Sequence, residues 1–153
     1  MSVGEQSLIL IASDGLKTCL LEAGTKRQFP ATDNLFREDG DNAGVFLVVK
    51  GKVCLSMQGL PRLDRVFGKG SLLGLPSTFT GQPYSLTATA VTAADVVHVP
   101  REEFVHLMRE RPELCREATE MLGREISFIQ SALAERQRQT ASGRTSGGNV
   151  ALG

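Results

Sequence analysis

The stretch that decides the fold is Gly70-Ser71-Leu72-Leu73-Gly74-Leu75-Pro76-Ser77-Thr78-Phe79-Thr80-Gly81-Gln82-Pro83-Tyr84-Ser85-Leu86-Thr87-Ala88-Thr89-Ala90. A strand ends at a glycine turn, a short hydroxyl-rich stretch follows, and a new strand begins. In that new strand, over 85–91, Leu86, Ala88 and Ala90 alternate with Ser85, Thr87, Thr89 and Val91, the period-2 pattern of a half-buried strand. One strand face is therefore small and partly polar, which suits a shallow pocket better than a tightly filled core. Residues 75–79 read as a helical turn whose free backbone N–H groups would point into the mouth of the fold and favour an anion.

Outward from this stretch the same grammar continues. From Lys26 to Pro100, short runs rich in Val, Leu, Phe and Thr alternate with Gly, Asp, Asn and Pro, the signature of strands and turns. Further strands are expected at 27–29, 34–36, 44–50, 52–57, 63–67 and 95–99. The turns between them are Asp39-Gly40-Asp41-Asn42, Lys50-Gly51, Gln58-Gly59, Gly68-Lys69-Gly70 and Gly81-Gln82-Pro83. Many short strands at regular turn spacing predict a mainly β fold, a sandwich or jelly-roll barrel. Upstream, Leu8, Ile11, Ala12, Leu16, Cys19 and Leu20 fall at roughly helical spacing, interrupted at Asp14-Gly15, and Gly24 closes that segment as a helix C-terminal glycine would.

After Pro100 the strands stop. A short helix is expected over 101–108, with Glu102 and Glu103 in its first turn, where carboxylates suit the helix dipole. Pro112 opens a second helix over 113–137. In it Cys115, Ala118, Leu122, Ile126, Ile129 and Leu133 fall 3, 4, 4, 3 and 4 apart, close to a heptad seam, and are assigned to a homodimer interface. Arg116, Glu117, Glu120, Arg124, Gln130 and Glu135 occupy the opposite side, with Glu120–Arg124 as an i, i+4 pair. The organisation read from sequence is a helical segment over 1–25, a β-roll over 26–100, C-terminal helices over 101–138, and a Gly/Ser/Thr-rich tail over 139–153 expected to be disordered.

Composition narrows the function. The chain has 153 residues, with 17 Lys+Arg against 17 Asp+Glu and a formal net charge of zero, which argues against an electrostatic nucleic-acid binder. A hydrophobic fraction of 41% against 22% charged is enough to bury a core. The longest apolar runs, 8–12 and 45–49, are five residues each, far short of the ~20 needed to span a bilayer. Ser2-Val3-Gly4-Glu5 lacks the positive start of a signal peptide, so the expected location is cytoplasmic.

Enzymatic and metal chemistry lack their usual carriers. Cys19, Cys54 and Cys115 are scattered and odd in number, and His98 and His106 are the only histidines. Metal ligation would need clustered ligands, so reduced thiols are expected, with no metal and no cofactor. Gly68-Lys69-Gly70-Ser71 looks like the end of a phosphate loop, but Lys69 is followed by Gly70 and Leu63 stands where the first glycine belongs. It reads as a hairpin turn. With Val97 and Val99 pointing inward, His98 is expected to face solvent or a neighbouring element, and His106 to lie on a helix surface. No catalytic residue is assigned.

Three stretches together carry a family resemblance. Leu35-Phe36-Arg37-Glu38-Asp39-Gly40-Asp41 leads to Val45-Phe46-Leu47-Val48-Val49-Lys50-Gly51-Lys52-Val53; the 70–90 stretch follows; Val96-Val97-His98-Val99-Pro100-Arg101-Glu102-Glu103-Phe104 ends the β-region. The chain resembles the cyclic-nucleotide-binding domain of the catabolite-activator (Crp/Fnr-like) regulators over about 26–137. The resemblance implies a jelly-roll β-barrel flanked by helices, with the long last helix pairing across a homodimer. It also makes 70–90 the phosphate-binding cassette. In nucleotide-binding members the cassette carries a Glu for the ribose 2′-hydroxyl and an Arg for the cyclic phosphate. Leu75 and Tyr84 stand at those positions here.

Losing both charged contacts removes ~3–6 kcal/mol, enough to turn a micromolar ligand into a millimolar one. No Lys or Arg within the cassette replaces them; the nearest are Lys69 and Arg101. The expected pocket is lined by Gly74, Leu75, Ser77, Thr78, Tyr84, Ser85 and Thr87, for a neutral or weakly anionic small molecule. Family transcription factors continue from the long helix into a helix-turn-helix domain; here a Gly/Ser tail follows Arg138, and direct DNA binding is not expected. The reading is a non-enzymatic regulatory sensor module that does not hold cyclic AMP or cyclic GMP tightly. Its rivals are a ligand-free scaffold for a partner protein, with Leu75 and Pro76 filling the pocket, and a functional cyclic-nucleotide receptor.

Overall fold

The structure, a computed structural model, describes residues 6–147. Its elements in chain order are β1 (Gln6–Ser7), α1 (Asp14–Ala23), β2 (Thr25–Phe29), β3 (Asn34–Phe36), β4 (Val45–Lys50), β5 (Val53–Ser56), β6 (Arg65–Phe67), β7 (Leu72–Leu73), α2 (Leu75–Thr80), β8 (Thr87–Ala90), β9 (Ala94–Val99), α3 (Arg101–Glu110) and α4 (Pro112–Gly147). A single 3-10 turn, Pro61–Leu63, precedes β6. The strands form two sheets, ordered β1-β6-β5-β8-β3 and β2-β9-β4-β7. They enclose one core but do not close into a complete barrel. This is the jelly-roll arrangement with a long C-terminal helix that the strand grammar predicts.

Local chemistry explains the pairing. In β8, Ala88 and Ala90 point inward while Thr87 and Thr89 are half-buried, and the outer hydroxyls are used: Glu38 N–H donates to Thr87 Oγ1 at 2.8 Å, and Thr89 Oγ1 donates to Asn34 Oδ1 at 2.8 Å. The first four residues of β4 are all buried, as befits a strand with β9 and β7 on its two edges and cover on both faces. His98 lies on β9 opposite Phe46, with ring centroids 4.7 Å apart and Nε2 2.6 Å from the Ala43 carbonyl oxygen. Half-buried, it packs on a neighbouring element, one of the two placements expected for it.

At the N-terminal end the expected helix starts later than the apolar spacing suggests. Residues 6–7 pair in parallel with β6, and Ile11 bridges Ser71. Ser13 caps α1, its Oγ accepting from Leu16 N–H at 3.2 Å, so Asp14-Gly15 opens the helix instead of interrupting it. Leu16 and Leu20, four apart, are its buried stripe. Gly24 closes the helix, its N–H donating to the Leu20 carbonyl.

The last helix corrects one expectation. It is described as far as Gly147. Of the tail expected over 139–153, residues 148–153 lie outside the described residues. Ala118, assigned to the dimer seam, is buried in the chain's own core. The inward stripe is Leu114, Ala118, Met121 and Glu125. Leu122 and Ile129 pack at its margin and Ile126 is 39% exposed. Spacing alone does not say which of two adjacent stripes meets the barrel. On the opposite side Ser13 N–H and Oγ donate to the Glu117 carboxylate at 2.7 and 2.6 Å, and Arg124 Nε donates to the Ile9 carbonyl at 2.9 Å. These bonds strap the N-terminal segment to α4. Among the described residues no helix is long and apolar enough to cross a membrane.

Gly44 lets β4 enter the sheet. Its φ is +113°, and a β-carbon there would overlap the Val99 carbonyl oxygen and lie 2.8 Å from Arg101 N. Left-handed backbone and steric overlap each cost a bulkier residue about 1–3 kcal/mol. Gly44→Ala is therefore expected to lower unfolding stability by roughly 2–4 kcal/mol, read from urea midpoints; a loss below about 0.5 kcal/mol would contradict this account.

Candidate functional site

The expected pocket residues converge on the short helix α2. Gly74 caps it in the left-handed conformation, with φ +94°. A β-carbon at Gly74 would sit 3.0 Å from the Gly44 carbonyl oxygen and 3.4 Å from the Tyr84 ring. The helix is short because glycines bound it: Gly81 follows, also left-handed, donating its N–H to the Ser77 carbonyl at 2.7 Å. Arg101 Nε donates to the Thr78 carbonyl at 2.9 Å, so the nearest downstream cation serves the C-terminal end of α2.

Tyr84 fills the centre. It is 2% exposed and stacks on Phe36 with centroids 4.0 Å apart and planes 15° from parallel. Its hydroxyl donates to the Gly44 carbonyl at 2.7 Å and accepts from Ala43 N–H at 3.0 Å. Its backbone is engaged as well: Tyr84 N–H donates to the Gly40 carbonyl at 3.0 Å, and its carbonyl accepts from Asp39 N–H at 2.7 Å. Burial holds the phenol above its ordinary pKa. Rather than waiting for a ligand, this side chain pins the 39–44 loop to the cassette.

Beside Tyr84 lies a void of about 10 Å³, lined by Phe36, Gly74, Pro76, Ser77, Tyr84, Ser85, Leu86 and Glu125. Four of the seven expected residues, Gly74, Ser77, Tyr84 and Ser85, meet there. Three do not. Leu75 is buried in the core, Thr78 Oγ1 accepts from Asn42 Nδ2 at 3.3 Å, and Thr87 lines a separate, open cleft of about 500 Å³ with Arg37, Glu38, Ser56, Gln58 and Asp64 among its walls. Ser77 Oγ donates to the Pro83 carbonyl at 3.0 Å, which leaves its lone pairs free.

Glu125 is the residue the sequence reading passed over. It comes from α4 and is 1% exposed, and its Oε1 has no hydrogen-bond partner. Burial alone pushes its carboxyl up to about 8, which keeps it neutral at pH 7. A signal existed: Leu114, Ala118, Met121 and Glu125 are spaced 4, 3 and 4 apart, which puts a carboxyl group on the buried stripe.

The consequence for stability follows from the direction of the shift. A native value of about 8 lies above the ordinary 4.5, so between those limits the native state binds the proton that the unfolded chain has released. The contribution is present at and below about pH 4.5, falls as pH rises, and is gone above about 8. Its span is roughly 3–5 kcal/mol. Glu125→Gln, which keeps the shape and drops the charge, is expected to flatten this slope and to exceed the wild type in stability at pH 8. Urea titrations from pH 5 to 8.5 test it; parallel profiles for the two proteins would refute it.

With this geometry in place, comparison with known proteins is direct. Residues 26–111, more than half of the chain, match the family described as "Cyclic nucleotide-binding domain". A "CRP-like cAMP-activated global transcriptional regulator" of Mycobacterium tuberculosis is 23% identical over 128 residues, covering 79% of this chain and 57% of the regulator. The crystal structure of Thermus thermophilus Catabolite Activator Protein superposes with a TM-score of 0.68 at 23% identity, over 82% of this chain and 60% of that one. A structure described as "A cyclic-GMP-dependent signalling pathway regulates bacterial phytopathogenesis" gives 0.67 at 20% identity, over 79% of this chain and 96% of that one. The chain thus spans a little over half the length of the first two relatives. The first two are described as a transcriptional regulator and an activator protein. Their match, the cassette and the jelly-roll together make this chain a member of the cyclic nucleotide-binding domain family.

Proposed function

We propose that the chain is a regulatory sensor module whose pocket has moved away from cyclic nucleotides. The observation that carries this reading is Tyr84, buried and doubly hydrogen-bonded to 43–44 in the middle of the cassette. Ligand pockets for molecules of nucleotide size run to about 300 Å³ and more, against about 10 Å³ here. The cassette contributes no cation to a cyclic phosphate, and Leu75 offers no acceptor to a ribose hydroxyl. The titratable group that does border the void, Glu125, is an acid, neutral when protonated and of the wrong sign for a phosphate when ionised.

A homodimer through α4 belongs to the same proposal. Ile126 is exposed, and Cys115, Leu122, Ile129 and Leu133 are half-buried beside it, an apolar strip along the helix that a second copy would cover. Ala118 is excluded from that strip by its burial.

Calorimetric titration with cyclic AMP and then cyclic GMP, each to millimolar concentration, tests the specificity. No saturable micromolar binding is expected; micromolar binding of either would overturn the reading. For the interface, light scattering behind size exclusion is expected to give a dimer for the wild type and a monomer for Ile126→Asp. A dimer that survives Ile126→Asp would remove α4 from the interface.

A further inference from the structure

The void at Glu125 has a chemistry of its own, distinct from the anion chemistry of a phosphate cassette. A carboxyl group in the interior is expensive unless something bonds to it. Here Oε1 is orphaned, and burial is the only influence on the group. Of the other residues bordering the void, only Tyr84 titrates, and its hydroxyl is committed to Gly44 and Ala43. The site thus holds an unpaired acid and no basic group.

Its walls narrow the partner. Two lining residues are aromatic, Phe36 and Tyr84, and neither adds a positive charge that would serve an anion. Ser77 is also among the lining residues; because its Oγ donates to Pro83, what that hydroxyl still has to offer is an acceptor. The space, about 10 Å³, is of the order of one water-sized group. One edge, at Ser85, is exposed. Acceptors, aromatic walls, a head-sized space and a narrow exposed edge specify a compact donor on a slender stem.

We propose that this site receives a primary ammonium head on an unbranched carbon stem, with Glu125 as its anchor. This rests on the sensor reading above and names its ligand class. On binding, the ammonium replaces the proton of Glu125: the O–H bond breaks, the proton leaves to solvent, and the carboxylate pairs with the cation. No oxidant or co-reactant is involved.

The test uses the whole chain at pH 7 and constant ionic strength, with methylammonium and ethylammonium chloride as probes and tetramethylammonium and sodium chloride as controls. The carboxyl carbon of Glu125 is followed by NMR, its signal assigned as the one missing in Glu125→Gln. The expected result is a saturable shift of that signal towards the ionised form with both primary amines, and none with the controls. Glu125→Gln should lose at least tenfold in apparent affinity, read from the amine-dependent rise in melting temperature. An unmoved Glu125 signal, an equal response to sodium, or an equal melting shift in the variant would overturn the proposal. Failure here with silent nucleotide titrations rejects the amine class alone. Micromolar cyclic-nucleotide binding instead rejects the reading on which it rests.

Discussion

The bond from the Tyr84 hydroxyl to the Gly44 carbonyl, 2.7 Å long and buried, is the constraint around which the cassette end of the molecule is arranged. It joins a residue three positions before β8 to the residue just before β4, and so fixes one strand of each sheet relative to the other. Gly44 can take part only because it is glycine: its left-handed backbone lies against β9 where a β-carbon has no room. Gly74 approaches the same carbonyl from the other side. Three chain segments therefore meet at one oxygen atom. A side chain so placed cannot double as a flexible ligand donor, because releasing it would orphan the buried Gly44 carbonyl, at about 1–3 kcal/mol, and free the Ala43 amide as well.

That constraint explains why α4 carries an acid on its inner stripe without collapse of the site. Tyr84 and Phe36 stack into a rigid wall, and α2 is held at both ends by left-handed glycines. The wall does not close over Glu125, so a small void survives. An apolar residue at 125 would fit the stripe of Leu114, Ala118 and Met121 better by simple transfer energy. The chain instead keeps a carboxyl group whose neutral form is tolerated and whose charged form is not.

Much of this was legible in the sequence. Strand β3 falls where the residue pattern places it, the other central strands differ from it by one or two residues at their ends, and α2 is one residue longer than expected. Alternation along 85–91 set the inward face, since Leu86, Ala88 and Ala90 are all buried. Strands β1 and β7 were invisible because two residues cannot display a period. The site was harder. Thr78 and Thr87 belong to the cassette by position, yet their hydroxyls answer to Asn42 and Glu38, partners more than thirty residues away in sequence. Glu125 was missed because a heptad reading that starts at Cys115 selects Ile126, one residue on, and sets the carboxyl group on no face at all.

Glu125 and Ile126 are consecutive residues of α4, and that adjacency ties the two halves of the proposed function together. One side chain is buried against the cassette and the other is exposed on the strip assigned to a second copy. Successive helical residues lie about 100° apart around the axis, so a rotation of α4 that better exposes one buries the other differently. The straps from Glu117 to Ser13 and from Arg124 to Ile9 resist such rotation at the N-terminal half of the helix. On the proposed reading, pairing Glu125 with a cation removes the electrostatic reason for its carboxyl group to stay neutral, and the energy released or required at that point acts on the same helical turn that presents Ile126. The inner void and the outer apolar strip are then two faces of a single mechanical element, and a ligand bearing the right charge needs to bias only that element to be felt at the interface.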